Sequence, residues 1–216
     1  MNAATLTRPS AHVRKRRYLP GPERKRQILD AALAEFLAHG YAETTMEKIA
    51  KRATLSKSGL YAHFKSKEQI FEELLATALP STEDSFSVFL GQSDDDIDTI
   101  IEAYIERLYT RLSDPLTVPT FQLLMMENRR IPGLIDRWND TVLKRMQARS
   151  QELIEECVRS GRVKRSVLTD HFEIILSPIV YWLTKSVLVG QQDMIPLDKM
   201  REIHKQLLME LLSHKK

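Results

Sequence analysis

Thr44 to Glu68 read TTMEKIAKRATLSKSGLYAHFKSKE. The stretch packs two short helical patterns, a tight turn and the start of a third helix into a span too compact for anything but a helix-turn-helix with its supporting helix. Thr44-x-x-Glu47 has the spacing of a capping box, in which the threonine oxygen accepts the Glu47 N–H and the carboxylate returns to the threonine N–H, so a helix is predicted from Thr45. Met46, Ile49, Ala50 and Ala53 fall on its inward face and Lys48, Lys51 and Arg52 on the outward one. After a turn at Thr54-Leu55, Ser56 is placed to cap the next helix, whose Leu60 and Phe64 face the same core.

The other face of that second helix carries Lys57, Ser58, Gly59, Tyr61, Ala62 and His63, at the helix end that a major groove admits most closely. Lys57 can donate to a guanine edge or a phosphate, and Tyr61 and His63 offer donors to phosphate oxygens. A glycine inside a helix costs about 1 kcal/mol relative to alanine, and close approach of the Gly59 backbone to DNA would offset that cost. Ser66-x-x-Gln69 forms a second capping box, and Lys67 at its mouth adds positive charge where free N–H groups already favour phosphate.

Working outward, Pro22 suits the first turn of a helix whose apolar rows, Ile28, Ala32 and Phe36 beside Leu29 and Leu33, run to about His39, with Gly40 as its left-handed end. Residues 1–20 join Arg8, Arg14, Lys15, Arg16 and Arg17 to prolines and small residues without apolar periodicity, which predicts a disordered basic arm. Arg14 to Arg17 can enter a minor groove, or remain a solvated tail. Residues 1–67 hold 14 Lys/Arg against 5 Asp/Glu, a balance of +9. Residues 68–216 hold 18 against 24, a balance of −6, so a polyanionic partner belongs to the N-terminal third.

Beyond Glu68 every apolar pattern has helical spacing. The clearest stripe is Ile97, Ile100, Ile101, Tyr104, Ile105, Leu108, Tyr109 and Leu112, started by Asp94 to Asp96; others run from about Leu134 to Val158, Phe172 to Val187 and Leu197 to Leu212. Breaks are predicted at Pro80, Ser113-Asp114-Pro115, Ile131-Pro132-Gly133, near Gly161 and from Gly190 to Pro196. The fold class is therefore all-α, with a helix-turn-helix domain over 21–67 and a helical domain over 68–216.

At 216 residues and 43% hydrophobic content, the chain can bury one large core or two modest ones. Its one cysteine, Cys157, lies in an apolar stripe and reads as an inert buried thiol. The N-terminus has no apolar core of a signal peptide, and the uncharged run Ile174 to Thr184 falls short of the ~20 residues of a membrane span. A cytoplasmic protein without a membrane partner is expected. His171 and His204 lack a partner at metal-ligand spacing and read as structural; no metal, cofactor or catalytic constellation is expected. Tyr104, Phe121, Met125, Met126, Trp138, Tyr181 and Trp182 are candidates to line a pocket for a small apolar or aromatic effector, or simply to be core.

Ile28-Leu29-x-Ala31-Ala32, Phe36, Gly40, Thr44-Thr45-Met46, Ile49-Ala50, Ala53, Leu55-Ser56, Leu60-Tyr61-x-His63-Phe64 and Lys67-Glu68 together resemble the signature of the tetracycline-repressor (TetR) family of transcriptional regulators. The resemblance spans about residues 24–74. It implies that Thr45, Lys57, Ser58, Gly59, Tyr61, His63 and Lys67 occupy DNA-contacting positions. It also implies a C-terminal domain that dimerises through its last two long helices and often encloses a ligand. Thr54 departs from the pattern, standing where the family usually has glycine, and a β-branched residue at positive φ is costly. The expected function is a homodimeric repressor, acting on double-stranded DNA at a palindromic operator and released by a small-molecule effector. The rival from another class is a structural, nucleoid-associated DNA-binding protein without a ligand, which would show shallow sequence preference.

Overall fold

The computed structural model describes residues 21–78, 96–190 and 192–212; their regular elements are all helical. The basic arm and the break at Pro80 lie outside the described residues. Helix α1 spans Gly21–Glu43, with Pro22 in its first turn and a break at Gly40, whose φ of 79° and ψ of 160° leave the helical region. Helices α2 (Met46–Arg52), α3 (Lys57–Tyr61) and α4 (Lys67–Ala78) follow. Ile28, Ala32 and Phe36 of α1 meet Ile49 of α2, Leu60 of α3, Phe64, and Ile70, Phe71, Leu74 and Leu75 of α4 in one core. Within it Phe36, Tyr41 and Phe71 form a ring cluster with centroids 5.3–6.0 Å apart. The predicted boundary at 67/68 thus falls where α4 starts, and the apolar face of α4 completes the N-terminal core rather than the C-terminal one.

The C-terminal helices are α5 (Ile97–Leu112), α6 (Thr117–Glu127), α7 (Pro132–Trp138), α8 (Lys144–Arg159), the short α9 (Val167–Asp170), α10 (Ser177–Val189) and α11 (Leu197–Leu212). Asp96 caps α5 by accepting the Thr99 N–H at 2.9 Å. A π-turn over Asn139–Leu143 joins α7 to α8 inside the stripe expected to be a single helix. Its cause is visible in the packing: Leu134 and Trp138 belong to the first core, whereas Leu153, Ile154 and Cys157 belong to the second, and the wider turn re-aims the apolar face. The expected helix from Phe172 starts instead as a 3₁₀ turn over Phe172–Leu176, because Pro178 has no N–H to continue an α-helical ladder upstream.

The two cores are bolted together by α6. Leu116 and Leu123 enter the first core, and half-buried Phe121 touches both. The Thr117 hydroxyl reaches the carbonyl of Ala78 at 3.0 Å, at the end of α4. Arg26 of α1 makes a two-pronged bridge to Asp114 at 2.6 and 2.7 Å, which raises the arginine pKa and lowers that of the carboxyl. The buried carboxylate of Glu127 accepts the Tyr41 N–H at 3.4 Å, just after the Gly40 break.

The second core packs α5 against α11, with α8 and α10 closing it. His204 of α11 is fully buried there, its Nδ1 3.2 Å from the Tyr109 hydroxyl, and burial pushes its pKa down to about 4. His171, expected to be its structural counterpart, is exposed and 3.8 Å from Glu173.

Candidate nucleic-acid interface

The local structure of the motif rests on three caps. Thr45, not Thr44, caps α2: its side chain accepts the Lys48 N–H at 3.3 Å. Thr44 is buried, and its hydroxyl donates to the carbonyl of Gly40 at 2.8 Å, tying the end of α1 to the start of α2. The cap therefore falls one residue later than expected and no reciprocal box forms, since Lys48 rather than Glu47 stands three residues after it; both threonines satisfy the cap preference, and only the chain path past Gly40 chooses between them. Ser56 caps α3, accepting the Gly59 N–H at 3.1 Å. Ser66 caps α4 through the Gln69 N–H at 3.2 Å, while the Gln69 amide oxygen takes the Lys65 N–H at 2.7 Å rather than that of Ser66.

The turn between α2 and α3 closes as a Schellman motif, with the Thr54 N–H on the Lys51 carbonyl at 3.1 Å and the Leu55 N–H on that of Ala50 at 2.8 Å. Thr54 occupies the left-handed position at φ 57°, so the geometry that glycine would reach freely is kept by a β-branched residue at a steric cost. Two further contacts lock the motif. Gln27 of α1 donates to the Ala53 carbonyl at 3.1 Å, and Arg52 donates to the buried carboxylate of Glu35 at 2.5 Å, which lowers the Glu35 pKa. Glu35 lay unremarked in the sequence; its position one turn after Ala31 on the inward side of α1 was the available signal.

Leu60 and Phe64 are buried, as expected of the core-facing row. Lys57, Ser58 and Tyr61 are exposed on the opposite side, with Gly59 and His63 half-buried between them and Thr45 exposed beside them at the start of α2. A Cβ on Gly59 would lie 3.2 Å from the Ser56 hydroxyl, so this glycine also makes room for the α3 cap. Lys67 is turned inward: its ammonium donates to the carbonyls of Tyr41, Ala42 and Thr44 at 2.6, 3.2 and 2.9 Å and stands 4.3 Å from the Tyr41 ring centre. The sequence offered it as a phosphate contact, but its three N–H groups are spent on the end of α1.

The aromatic and methionine residues suggested for an effector pocket do not converge. Met125 and Tyr181 are 58% and 53% exposed, Trp138 is buried in the first core and Phe121 lies between the cores. Sequence type marked these residues as apolar but carried no information on which core, or which side, each would take. Trp182 lines a cleft of about 400 Å³ with Leu112, Pro115, Val118, Met194 and Leu197, and Tyr104 borders a separate small cavity also lined by Ile101, Ile154, Cys157, Phe172 and Leu208. The volume of this small cavity, about 20 Å³, is that of roughly one water molecule. Burial pushes the Cys157 thiol pKa up, as an inert buried thiol requires. Among the described residues no group of acids, histidines or cysteines could hold a metal ion.

Several exposed apolar side chains lie on the last two long helices, Val180, Tyr181, Leu188 and Val189 on α10 and Ile203, Leu207 and Leu211 on α11, while Met125, Met126, Val167 and Ile174 are exposed elsewhere. The segment Phe172–Val189 is long and apolar enough by composition for a membrane span, yet Phe172, Ile175, Ile179, Trp182 and Leu183 along it are core residues.

Residues 28–74 match the model of the bacterial regulatory proteins, tetR family. The uncharacterized HTH-type transcriptional regulator YhgD of Bacillus subtilis (strain 168) is 29% identical over 147 residues, covering 66% of this chain and 73% of its own. A TetR family transcriptional regulator from Pseudomonas syringae pv. tomato superposes with a TM-score of 0.68 at 19% identity, covering 90% of this chain and 98% of that one. The SmeT-triclosan complex does so with a TM-score of 0.66 at 17% identity, covering 89% and 93%. The two structures speak for the fold alone.

Proposed function

We propose that this chain, whose residues 28–74 match the tetR family of bacterial regulatory proteins, is a DNA-binding transcriptional regulator that works as a homodimeric repressor on a palindromic operator. The observation that carries the proposal is the pairing of two surfaces. The face of α3 bearing Lys57, Ser58 and Tyr61 is exposed and preceded by a capped turn, and the apolar face of α10 and α11 is uncovered in the single chain. Joining α10 and α11 to their two-fold copies would bury that apolar face and present two α3 helices to successive major grooves. Thr45, Lys57, Ser58, Gly59, Tyr61 and His63 form the contact surface in this reading. Lys67 supports it from within, and phosphate at the start of α4 would meet backbone N–H groups rather than the ammonium.

An effector would enter beside Tyr104, where the lining favours an uncharged apolar molecule, and the roughly one-water volume requires α5, α8 and α11 to part for it. Release from DNA then demands that the effector bind the parted state more tightly than the closed one. The same small volume favours a second reading, a DNA-binding protein of the nucleoid without a ligand response. A thermal-shift screen with apolar and aromatic compounds separates the two, since only the first predicts a rise in melting temperature. The primary test is retardation of a fragment from the upstream region of its own gene at moderate salt, with the mass of the free protein measured alongside. A folded protein that retards no such fragment, or that stays monomeric at micromolar concentration, would overturn the reading. A site of action on bacterial DNA places the protein in the cytoplasm, associated with the nucleoid when bound.

A further inference from the structure

From Thr44 to Lys67 the motif contains six basic residues and one acid, Glu47. The capping box that would have occupied this carboxylate is not formed around Thr44, and Glu47 instead forms an ion pair with the ammonium of Lys57, in the first turn of α3. The pair joins the two helices of the motif on the side away from the core. Both side chains are more than half exposed, and an ion pair so exposed contributes little to stability. Its contacts lower the carboxyl pKa and raise that of the ammonium, so both groups are charged at neutral pH. An isolated carboxylate on a surface that approaches phosphates is repelled by them, and holding Lys57 withdraws a cation that phosphate would otherwise attract.

The chemistry of the major groove gives this arrangement a use. A G·C pair presents the guanine N7 and O6 acceptors side by side, followed by the cytosine N4 donor. An A·T pair sets its amino donor between two acceptors, so a carboxylate placed on that donor faces lone pairs on both sides. A cation and an anion held next to one another match the first pattern. Resting on the DNA-binding reading above, we propose that Glu47 is a specificity-determining residue, and that the Glu47–Lys57 pair reads one G·C base pair in each half-site. Lys57 donates to the guanine O6 or N7, and Glu47 accepts from the cytosine N4 amino group. On mixed-sequence DNA the carboxylate meets a matching donor only where a G·C pair falls in register and elsewhere opposes binding, so the same residue suppresses nonspecific affinity.

The test is selection of binding sites from a randomised duplex pool, at one salt concentration, by the full chain and by its Glu47→Ala, Glu47→Gln and Lys57→Ala variants, each checked for unchanged melting. The unaltered chain is expected to enrich a two-fold motif with a G·C pair at one symmetric position. Glu47→Ala and Lys57→Ala are both expected to lose roughly tenfold discrimination at that position and to keep the rest of the motif. Glu47→Gln, whose amide suits adenine, is expected to move the preference there toward A·T. Affinity of Glu47→Ala for mixed-sequence DNA should rise several-fold. Loss at two different positions, or an enriched motif that Glu47→Ala leaves unchanged, overturns the proposal while sparing the DNA-binding reading. Enrichment of no motif by the unaltered chain overturns both.

Discussion

In the N-terminal helices Phe36, Phe64 and Phe71 are almost completely buried and meet aliphatic residues of all four helices, whereas in the C-terminal helices apolar side chains remain in the open along α10 and α11 and an internal gap persists beside Tyr104. The difference follows from what each region must do. A reading head must hold α3 rigidly, because base contacts are lost when the helix tilts. The C-terminal helices leave apolar side chains on α10 and α11 that another surface would cover. Between them α6 is clamped at Asp114, Thr117 and Glu127, so a shift of the C-terminal helices would reach α1 and α4 through contacts at both ends of α6.

This contrast can be broken at its rigid side first. Phe64→Ala removes a ring from a site with no free space, and a loss of about 3–5 kcal/mol is expected by denaturant unfolding, with operator binding falling in parallel. The C-terminal core responds instead to acid. The folded pKa of His204, about 4, lies below its unfolded value near 6.5, so folding favours the neutral ring. Its contribution is whole above pH 6.5 and is lost as the pH falls toward 4, up to about 3 kcal/mol. Unfolding curves across that range should show the decline, and His204→Gln should flatten it. At the junction, Arg26→Gln cuts the bridge to Asp114; both side chains are about a third exposed, which limits the expected loss to about 1 kcal/mol, with a weaker link between the two cores seen as faster amide exchange in α1. The smallest effect is a gain. Thr54→Gly relieves left-handed strain of about 1–2 kcal/mol against a glycine entropy cost of about 0.5–1, so melting should rise slightly with the Schellman turn intact.

The reading head was legible because its signals are local. Leu60 and Phe64 are four residues apart, Ser56 precedes its helix directly, and Gly40 breaks α1 where its φ becomes positive. Even there the choice between Thr44 and Thr45 as cap escaped the sequence, since it depends on how α1 ends, and so did the inward turn of Lys67, which depends on carbonyls more than twenty residues away. The effector residues were legible only as a type. Tyr104, Met125, Trp138 and Tyr181 share apolar spacing, yet one borders a cavity, one joins the N-terminal core and two face outward.

By itself the sequence determined the helical class, the helix-turn-helix with its buried row, and the basic sign of the N-terminal third, because periodicity, caps and charge act over a few residues. Tertiary structure alone decided that α4 closes the first core, that Glu47 meets Lys57 instead of a cap, and which apolar side chains of α10 and α11 stay exposed. Those outcomes turn on which distant surfaces come together, and nothing in the spacing of neighbouring residues encodes that.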